Sequence, residues 1–239
     1  MEKDFLGELS SLNTFVKIKK VLSSSLSESN RFYTSLLPGS LKSLLIPAII
    51  ADYHQILILL PKRLDVNEMT VELSILGLED KIVAIDNIEI DTIQERLTTI
   101  KNKKQCVIIS TYNLLNVKLP SKSEIDKSTT QIEVGSDITY DDLIEYLDEL
   151  KYEHEKFVTD PGYYAVRGSI IDFWSYSEEH PCRLEFDGDF LESIRFFEPE
   201  SQRSTGRIEN ITLATSIESD GIAFDSDIFD YLKKPLVFA

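Results

Sequence analysis

The chain has 239 residues, 42% of them hydrophobic, which is enough for one large domain or two modest ones that each bury a core. Its 41 acidic and 25 basic residues give a formal net charge of −16, which opposes nucleic-acid binding over most of the surface. No apolar run approaches the ~20 residues that cross a bilayer, no secretory start is present, and Cys106 and Cys182 lack zinc-ribbon or disulfide-framework spacing. These features predict a protein of the reducing cytoplasm with no membrane segment.

The first half of the chain alternates between predicted helices and strands. The runs QILILLP, KIVAID and QCVIIST predict buried strands. A second helix follows Gly39, and the apolar positions of the other helices are Phe5, Leu9, Leu12 and Val16, then Val66, Met69, Leu73 and Leu76, then Ile93, Leu97 and Ile100. This alternation predicts a mainly parallel α/β domain over residues 1–120.

The second half shows a different pattern. The polar stretch LPSKSEIDKSTTQ predicts a linker, and TYDDLIEYLDEL predicts a helix capped by Thr139 and Asp142. Short strands follow, with Asp187-Gly188 as a hairpin turn, so residues 121–206 are predicted to form an α+β domain with an antiparallel sheet. Beyond Arg207 we expect a strand in ITLATSI, a short helix around DSDIFDYL and an apolar end, LVFA, which indicates a strand of a longer protein.

The stretch LLPGSLKSLL is similar to a phosphate-binding loop that has lost its glycines. Lys42 and Ser43 stand where G-x-x-x-x-G-K-[ST] requires Lys and Ser/Thr, but Leu36 and Leu41 replace the two glycines. A Cβ at these positions opposes the turn by about 1 kcal/mol or more and fills the phosphate volume. We interpret Lys42 and Ser43 as helix-surface residues, and Asp86, which ends KIVAID, as a turn or helix cap.

Other catalytic or metal-binding constellations find little support in the sequence. His54, His154 and His180 are scattered and show no metal-ligand spacing. Cys182 is expected to be a packed thiol, and Phe173 and Trp174 are expected in the core or at a sheet edge. No metal or cofactor site is predicted.

Arginines crowd one stretch of this acidic chain: Arg167, Arg183, Arg195, Arg203 and Arg207. Arginine is favoured at interfaces because its planar fork forms bidentate bonds to carboxylates. The structural alternative is a cross-strand pair: with a two-residue turn at Asp187-Gly188, Arg183 faces Glu192 in a pair that contributes ~0.2–1 kcal/mol.

A family resemblance adds to this interpretation. The segments DPGYYAVRGSIIDFW, EEHPCRLEFDGDFLESIRFF and EPESQRS resemble the second domain shared by bacterial transcription-repair coupling factors and the excision-repair protein UvrB. NRFYTSLLPGSLKSLL and QCVIISTYNLL lie where that family has its P-loop and a following strand. The interval DNIEIDTIQERLTTIKNKK is predicted as a helix and a Lys-rich turn and replaces the DNA-opening hairpin of UvrB, which favours the coupling-factor branch.

The resemblance implies a degenerate P-loop-type α/β domain of residues 1–120, to which residues 207–239 return, and an inserted UvrA-binding-like domain, 121–206. It implies a non-catalytic docking module that recruits nucleotide-excision repair by binding UvrA. The parent factor would be an ATP-dependent DNA translocase that meets RNA polymerase and DNA through other domains. The family's contact arginines match Arg167 and Arg183, and Asp187 occupies the place of a contact Phe, with Phe186 before it as a contact or a core residue.

Two other functions stay open at the sequence level. One is a residual P-loop NTPase that uses Lys42, Ser43 and Asp86. The other is DNA binding by the arginine-bearing sheet, which the missing hairpin and the net charge of −16 oppose.

Overall fold

The computed structural model describes residue 11 and residues 13–24, 41–88, 90–217 and 222–239. These residues divide into two compact units, each assembled from separate stretches of chain. The first unit comprises the described residues of 1–87 with 100–117 and 228–239, and the second comprises those of 88–99 and 118–227. No helix within these ranges is long and apolar enough to cross a membrane.

A four-stranded parallel sheet forms the centre of the first unit. Its strands are β1 (Gln55–Leu60), β2 (Ile82–Ile85), β3 (Cys106–Thr111) and β12 (Leu236–Phe238), in the order β12-β1-β3-β2. The strands predicted in QILILLP, KIVAID and QCVIIST are therefore confirmed, and LVFA supplies the fourth, which pairs with β1. Such continuous apolar runs are typical of parallel strands, because both faces of the sheet are covered.

The described helices of the first unit include α1 (Asn13–Ser24), α2 (Leu41–Ile49), α3 (Arg63–Leu73) and α7 (Ile228–Tyr231). Helix α4 (Ile90–Asn102) lies between β2 and β3 in the chain, and its residues 90–99 belong to the second unit. Helix α3 buries Val66, Met69 and Leu73 as predicted, while Leu76 beyond its end is half-buried. The interval predicted as a helix and a Lys-rich turn contains α4, so the helix there is confirmed.

The apolar stripe predicted for the first helix is wrong at Val16. Val16 is 49% exposed, whereas the neighbouring Phe15 is buried in the core of the first unit. One residue corresponds to about 100° around a helix, so burial of Phe15 turns Val16 toward solvent. The other predicted stripe positions, Phe5, Leu9 and Leu12, lie outside the described residues.

A six-stranded sheet dominates the second unit. In the order β10-β9-β8-β7-β6-β5, its strands are β10 (Ser204–Ile208), β9 (Phe190–Phe197), β8 (Cys182–Asp187), β7 (Ile170–Phe173), β6 (Tyr163–Arg167) and β5 (Glu153–His154). All neighbouring pairs are antiparallel except β5 and β6, which run parallel. The fold is thus mixed α/β, with a parallel sheet in one unit and mainly antiparallel pairing in the other.

One face of this sheet is closed by helix α6 (Tyr140–Glu149). Thr139 and Asp142 form the predicted capping box, in which each side chain accepts a hydrogen bond from the backbone N–H of the other residue. Leu143 and Leu147 are fully buried, and they pack in one cluster with apolar residues of the sheet, among them Leu184 and Ile194. The opposite face of the sheet carries polar side chains and a small buried cluster of Val158, Ala165 and Phe197.

The linker predicted in LPSKSEIDKSTTQ is wrong. The stretch contains helix α5 (Lys122–Lys127) and strand β4 (Thr129–Glu133), and β4 pairs antiparallel with β11 (Asn210–Ala214). Ser121 caps α5 by accepting a hydrogen bond from the Glu124 N–H, and Ile125 is fully buried. Two buried apolar side chains, Leu119 and Ile125, and a distant strand partner order this polar segment.

Strand β11 confirms the strand expected in ITLATSI. Its partner is β4, so residues 210–214 lie in the second unit, while α7 and β12 lie in the first. The predicted domain boundaries at residues 120 and 206 refer to parts of the chain that would fold independently. Contacts within the folded protein do not test independent folding. Those boundaries stay a prediction.

Candidate protein-docking site

The open face of the six-stranded sheet carries a cross-strand row of charged side chains. Asp172 on β7 lies opposite Arg183 on β8, Arg183 opposite Arg195 on β9, and Arg195 opposite Arg207 on β10. Cys182 and Leu184 beside Arg183 belong to the core, and side chains alternate along a strand, so the row lies on the face away from the core.

Asp172 is the buried acid of this row, with 1% of its side chain exposed. The Nε and Nη2 groups of Arg183 donate hydrogen bonds to Oδ1 and Oδ2 of Asp172, at 2.8 Å and 2.9 Å. Both carboxylate oxygens are thus engaged by one guanidinium, the bidentate geometry that gives such pairs their strength. Hydrogen bonding to Asp172 is the main cause that raises the pKa of Arg183.

Arg183 is packed as well as paired. Its Cζ lies 4.8 Å from the centroid of the buried Phe197 ring, and its Nη1 donates a longer hydrogen bond, 3.4 Å, to the Gln202 carbonyl oxygen. With 18% of its side chain exposed, Arg183 is a half-buried structural arginine that presents one edge to solvent.

Arg167 shares the same carboxylate from the other side. Its Nη1 lies 3.5 Å from Oδ2 of Asp172, and its Nη2 donates a 2.8 Å hydrogen bond to the Lys156 carbonyl oxygen. The Arg167 side chain is 37% exposed, and its Cζ lies 5.1 Å from the centroid of the exposed Phe157 ring. Two guanidinium groups therefore face one buried carboxylate, which leaves an excess of positive charge at this point.

The remaining arginines of the row have their own partners. Arg195 forms a short ion pair with Glu185, the next residue but one along β8 from Arg183. Arg207 donates a 3.1 Å hydrogen bond from Nη2 to the Glu192 carbonyl oxygen. Arg183, Arg195 and Arg207 lie opposite one another and would repel across the strands. Hydrogen bonds to Glu185 and to the Glu192 carbonyl oxygen offset this repulsion for Arg195 and Arg207.

The predicted pair of Arg183 with Glu192 is wrong, for two geometric reasons. The hairpin turns at Gly188 and Asp189, one residue later than assumed, and Gly188 takes the positive φ of 61° that glycine accommodates. In addition, a bulge between Glu185 and Phe186 shifts the register of β8 against β9. Arg183 therefore faces Arg195 and turns to Asp172 for its partner.

The hairpin end carries the other predicted contact residues. Phe186 is buried and packs edge-to-face against Tyr140, with ring centroids 5.5 Å apart, so of its two predicted placements the structure has the core one. Asp187 is exposed, and the residue opposite it in register is Phe190, whose side chain is 56% exposed. Neither Phe190 nor Phe157 stands out in the sequence, because exposure of an apolar residue leaves no mark in a strand or loop pattern.

The residues of the P-loop-like stretch have different surroundings. Lys42 is exposed on α2, but Ser43 is fully buried, which corrects the expectation of a surface residue. The Ser43 hydroxyl donates a short hydrogen bond to Glu72 and lies 3.4 Å from the Met69 sulfur. Residues 31–40, including Leu36, lie outside the described residues.

Asp86 directly follows β2 and is engaged by Arg63. The Nε and Nη2 groups of Arg63 lie 2.9 Å and 2.8 Å from Oδ2 of Asp86. Asp86 is therefore ion-paired in addition to its position at a strand end. Among the described residues, no group of three or more His, Cys, Asp or Glu side chains is arranged to hold a metal ion.

The two cysteines are buried free thiols. Burial raises the pKa of Cys106 to about 11, and burial also raises the pKa of Cys182, with the charges of Glu178 and Asp172 as further causes. A reactive thiol requires a lowered pKa, so Cys182 is a packed thiol, as expected.

The sheet face that carries the arginines lies in a part of the chain that matches a known protein family. Residues 130–218, which include β6 to β11, match the family model described as UvrB interaction domain. The particular proteins that the chain is similar to are transcription-repair-coupling factors. It is 38% identical to that of Myxococcus xanthus over 88 residues, 30% to that of Bacillus subtilis over 122, and 30% to that of Escherichia coli over 131.

These matches confirm the resemblance to a UvrB-homology module of a bacterial transcription-repair coupling factor. They cover 37%, 51% and 54% of this chain but 7%, 10% and 11% of the three relatives, in the same order. The matched segments therefore span about a tenth of the length of these relatives.

Proposed function

We propose that the chain is a non-catalytic protein-docking module of a transcription-repair coupling factor and that it recruits nucleotide-excision repair by binding UvrA in the cytoplasm. The observation that carries this proposal is the match of residues 130–218 to the UvrB interaction domain, because that region holds the arginine-bearing face of the sheet. The parent factor would be an ATP-dependent DNA translocase whose other domains meet RNA polymerase and DNA.

Arg167 and Arg183 are the proposed centre of the contact. Both lie beside Asp172, and two guanidinium groups around one carboxylate leave positive charge for acidic groups of UvrA. Arg167 is the more exposed of the two and supplies the stronger direct contact. Asp187 lies at the rim in the proposed contact, and Phe186 supports the hairpin from the core side.

For the first unit we propose descent from a P-loop-type domain that no longer binds a nucleotide. The buried Ser43 hydroxyl is bonded to Glu72, and Asp86 is paired with Arg63, so neither group is placed to share a Mg²⁺ ion. Lys42 and Ser43 are the non-functional remains of the site. No cofactor is needed for docking.

The test of UvrA binding compares variants of matched chemistry. Arg167→Ala should weaken the affinity for purified UvrA at least tenfold, which corresponds to about 1.4 kcal/mol. Arg63→Ala removes an exposed arginine of the first unit and should change the affinity less than twofold. If Arg167→Ala binds UvrA as tightly as the parent chain, the contact lies elsewhere and the transfer of the family's contact residue is wrong.

Titration calorimetry with ATP and Mg²⁺ distinguishes the enzymatic alternative from a docking module by measuring nucleotide affinity. Micromolar binding that Lys42→Ala abolishes would favour a residual NTPase over a docking module. The DNA-binding alternative requires an affinity for DNA that falls steeply with salt concentration.

A further inference from the structure

Phe157 is an exposed aromatic residue whose position is fixed by its neighbours along the chain. It lies in the segment between β5 and β6, with 47% of its side chain exposed. The next residue, Val158, is fully buried in a small cluster with Ala165 and Phe197. Burial of Val158 fixes this segment on the sheet, so Phe157 is displayed at a defined place rather than on a free loop.

Two cations flank the Phe157 ring. The Arg167 Cζ lies 5.1 Å and the Lys156 Nζ 5.5 Å from the ring centroid, both within cation–π range. The Arg167 Nη2 also donates its 2.8 Å hydrogen bond to the backbone of Lys156, which ties the strand and the segment together. The result is an apolar ring with a positively charged border that continues into the Asp172 and Arg183 pair.

We propose that Phe157 is the apolar anchor of the docking surface, and that Lys156 and Arg167 beside it bind carboxylates around the pocket that receives the ring. The partner is a folded protein surface with an apolar pocket bordered by Asp or Glu. This inference rests on the proposed function, in which that partner is UvrA. Aromatic residues and arginine are enriched at protein interfaces, and an aromatic ring adds a large apolar contact area.

The net charge of the chain favours a protein partner over a nucleic acid. A ring between cations would also stack on a nucleobase. However, a chain with a formal charge of −16 repels phosphates over the rest of its surface. Carboxylates of a protein surface can contact Lys156 and Arg167 locally. A nucleic acid would in addition bring its phosphate backbone close to the acidic surface of the rest of the chain.

The first experiment measures the affinity for purified UvrA of the parent chain and of Phe157→Ala. We expect at least a tenfold loss with an unchanged melting temperature, since the ring is about half exposed. Ile75→Ala, which truncates an exposed apolar side chain of the first unit, is the control and should change the affinity less than twofold.

The second experiment separates an anchor from a mere support of Arg167. Phe157→Ala is introduced into the Arg167→Ala background, where no guanidinium remains for the ring to orient. A further loss of at least threefold in this background supports direct contact of the ring with UvrA. If Phe157→Ala has no effect in that background, the ring acts only by positioning Arg167 and the anchor is overturned.

The remaining outcomes also decide the question. If Arg167→Ala weakens binding but Phe157→Ala does not, the proposed function stands and the anchor fails. If the parent chain does not bind UvrA at all, the proposed function fails and the anchor with it. Binding of a single-stranded oligonucleotide that Phe157→Ala abolishes would assign the ring to a nucleic acid instead.

Discussion

Arg183 donates two hydrogen bonds to Asp172 across the β7–β8 pair. The Asp172 side chain is only 1% exposed, so these bonds link the half-buried Arg183 to a buried carboxylate. The pair belongs to the fold as much as to the proposed docking site. A buried ion pair is costly to break, because removal of one partner leaves the other charge without compensation.

Asp172→Asn should lower the free energy of unfolding by about 3 kcal/mol, the lower end of the range for broken buried pairs. The asparagine amide N–H₂ is a donor placed against the donors of Arg183, so only part of the bidentate geometry survives. Urea denaturation followed by circular dichroism measures the change. Asp187→Asn, at the exposed end of the same sheet, should shift the stability by less than about 0.5 kcal/mol. Equal shifts in the two variants would show that Asp172 and Arg183 do not stabilise the fold.

Arg183→Ala should lower the melting temperature clearly more than Arg167→Ala. With Arg183 removed, Asp172 keeps only the 3.5 Å contact from Arg167, whereas loss of Arg167 leaves the bidentate pair intact. We expect about 3 kcal/mol for the first variant and under about 1 kcal/mol for the second, whose partly exposed pair is screened by solvent. Thermal melts of both variants test this order, and a reversed order would refute it. Arg167→Ala is therefore the cleaner probe of binding.

Glu178 should make the stability of the second unit pH-dependent near neutrality. Burial is the main cause that raises its pKa to about 7 from the ordinary value of 4.5, and the charge of Glu95 adds to the rise. The folded state then holds a proton that the unfolded state releases, so stability is fully present below about 4.5 and is lost as the pH rises through about 7.

Glu178→Gln removes this titration. Gln keeps the oxygen that accepts the 3.3 Å hydrogen bond from the Thr212 N–H, so the variant should be more stable than the parent at pH 8 by on the order of 1–2 kcal/mol. At pH 4.5 the two should be nearly equal. Denaturation at both pH values measures the difference, and a stability gap that does not change with pH would contradict the role of Glu178.

Gly162→Ala should destabilise the second unit strongly. Its φ is 86°, and an added Cβ would lie 2.6 Å from the Tyr176 Cζ and overlap the hydroxyl oxygen. We expect a loss of about 2–4 kcal/mol, with about 1 kcal/mol from the backbone and the rest from the overlap. Gly168→Ala is the matched control, because its φ of 62° is similar but open space surrounds its Cβ position. Its cost should be about 1 kcal/mol, and an equal cost for both variants would contradict the overlap with Tyr176.

The sequence by itself determined the elements whose signals are local. Continuous apolar runs predicted β1, β2 and β3, because parallel strands are buried on both faces. The Thr139 and Asp142 pair predicted the start of α6, because capping depends on three neighbouring residues. The motifs around Arg167 and Arg183 were enough to recognise the family resemblance, which the match over residues 130–218 confirmed.

Only the tertiary structure decided which side chains meet. One extra residue in β9, together with a turn placed one residue later, moved Arg183 from Glu192 to Arg195 and Asp172. The position of β11 ordered the segment predicted as a linker, and a partner on α3 drew Ser43 into the core. Pairing across strands depends on register, and burial depends on residues far apart in the chain. A local pattern contains neither, so the environment of Arg167 and Arg183, the proposed docking arginines, follows from the fold.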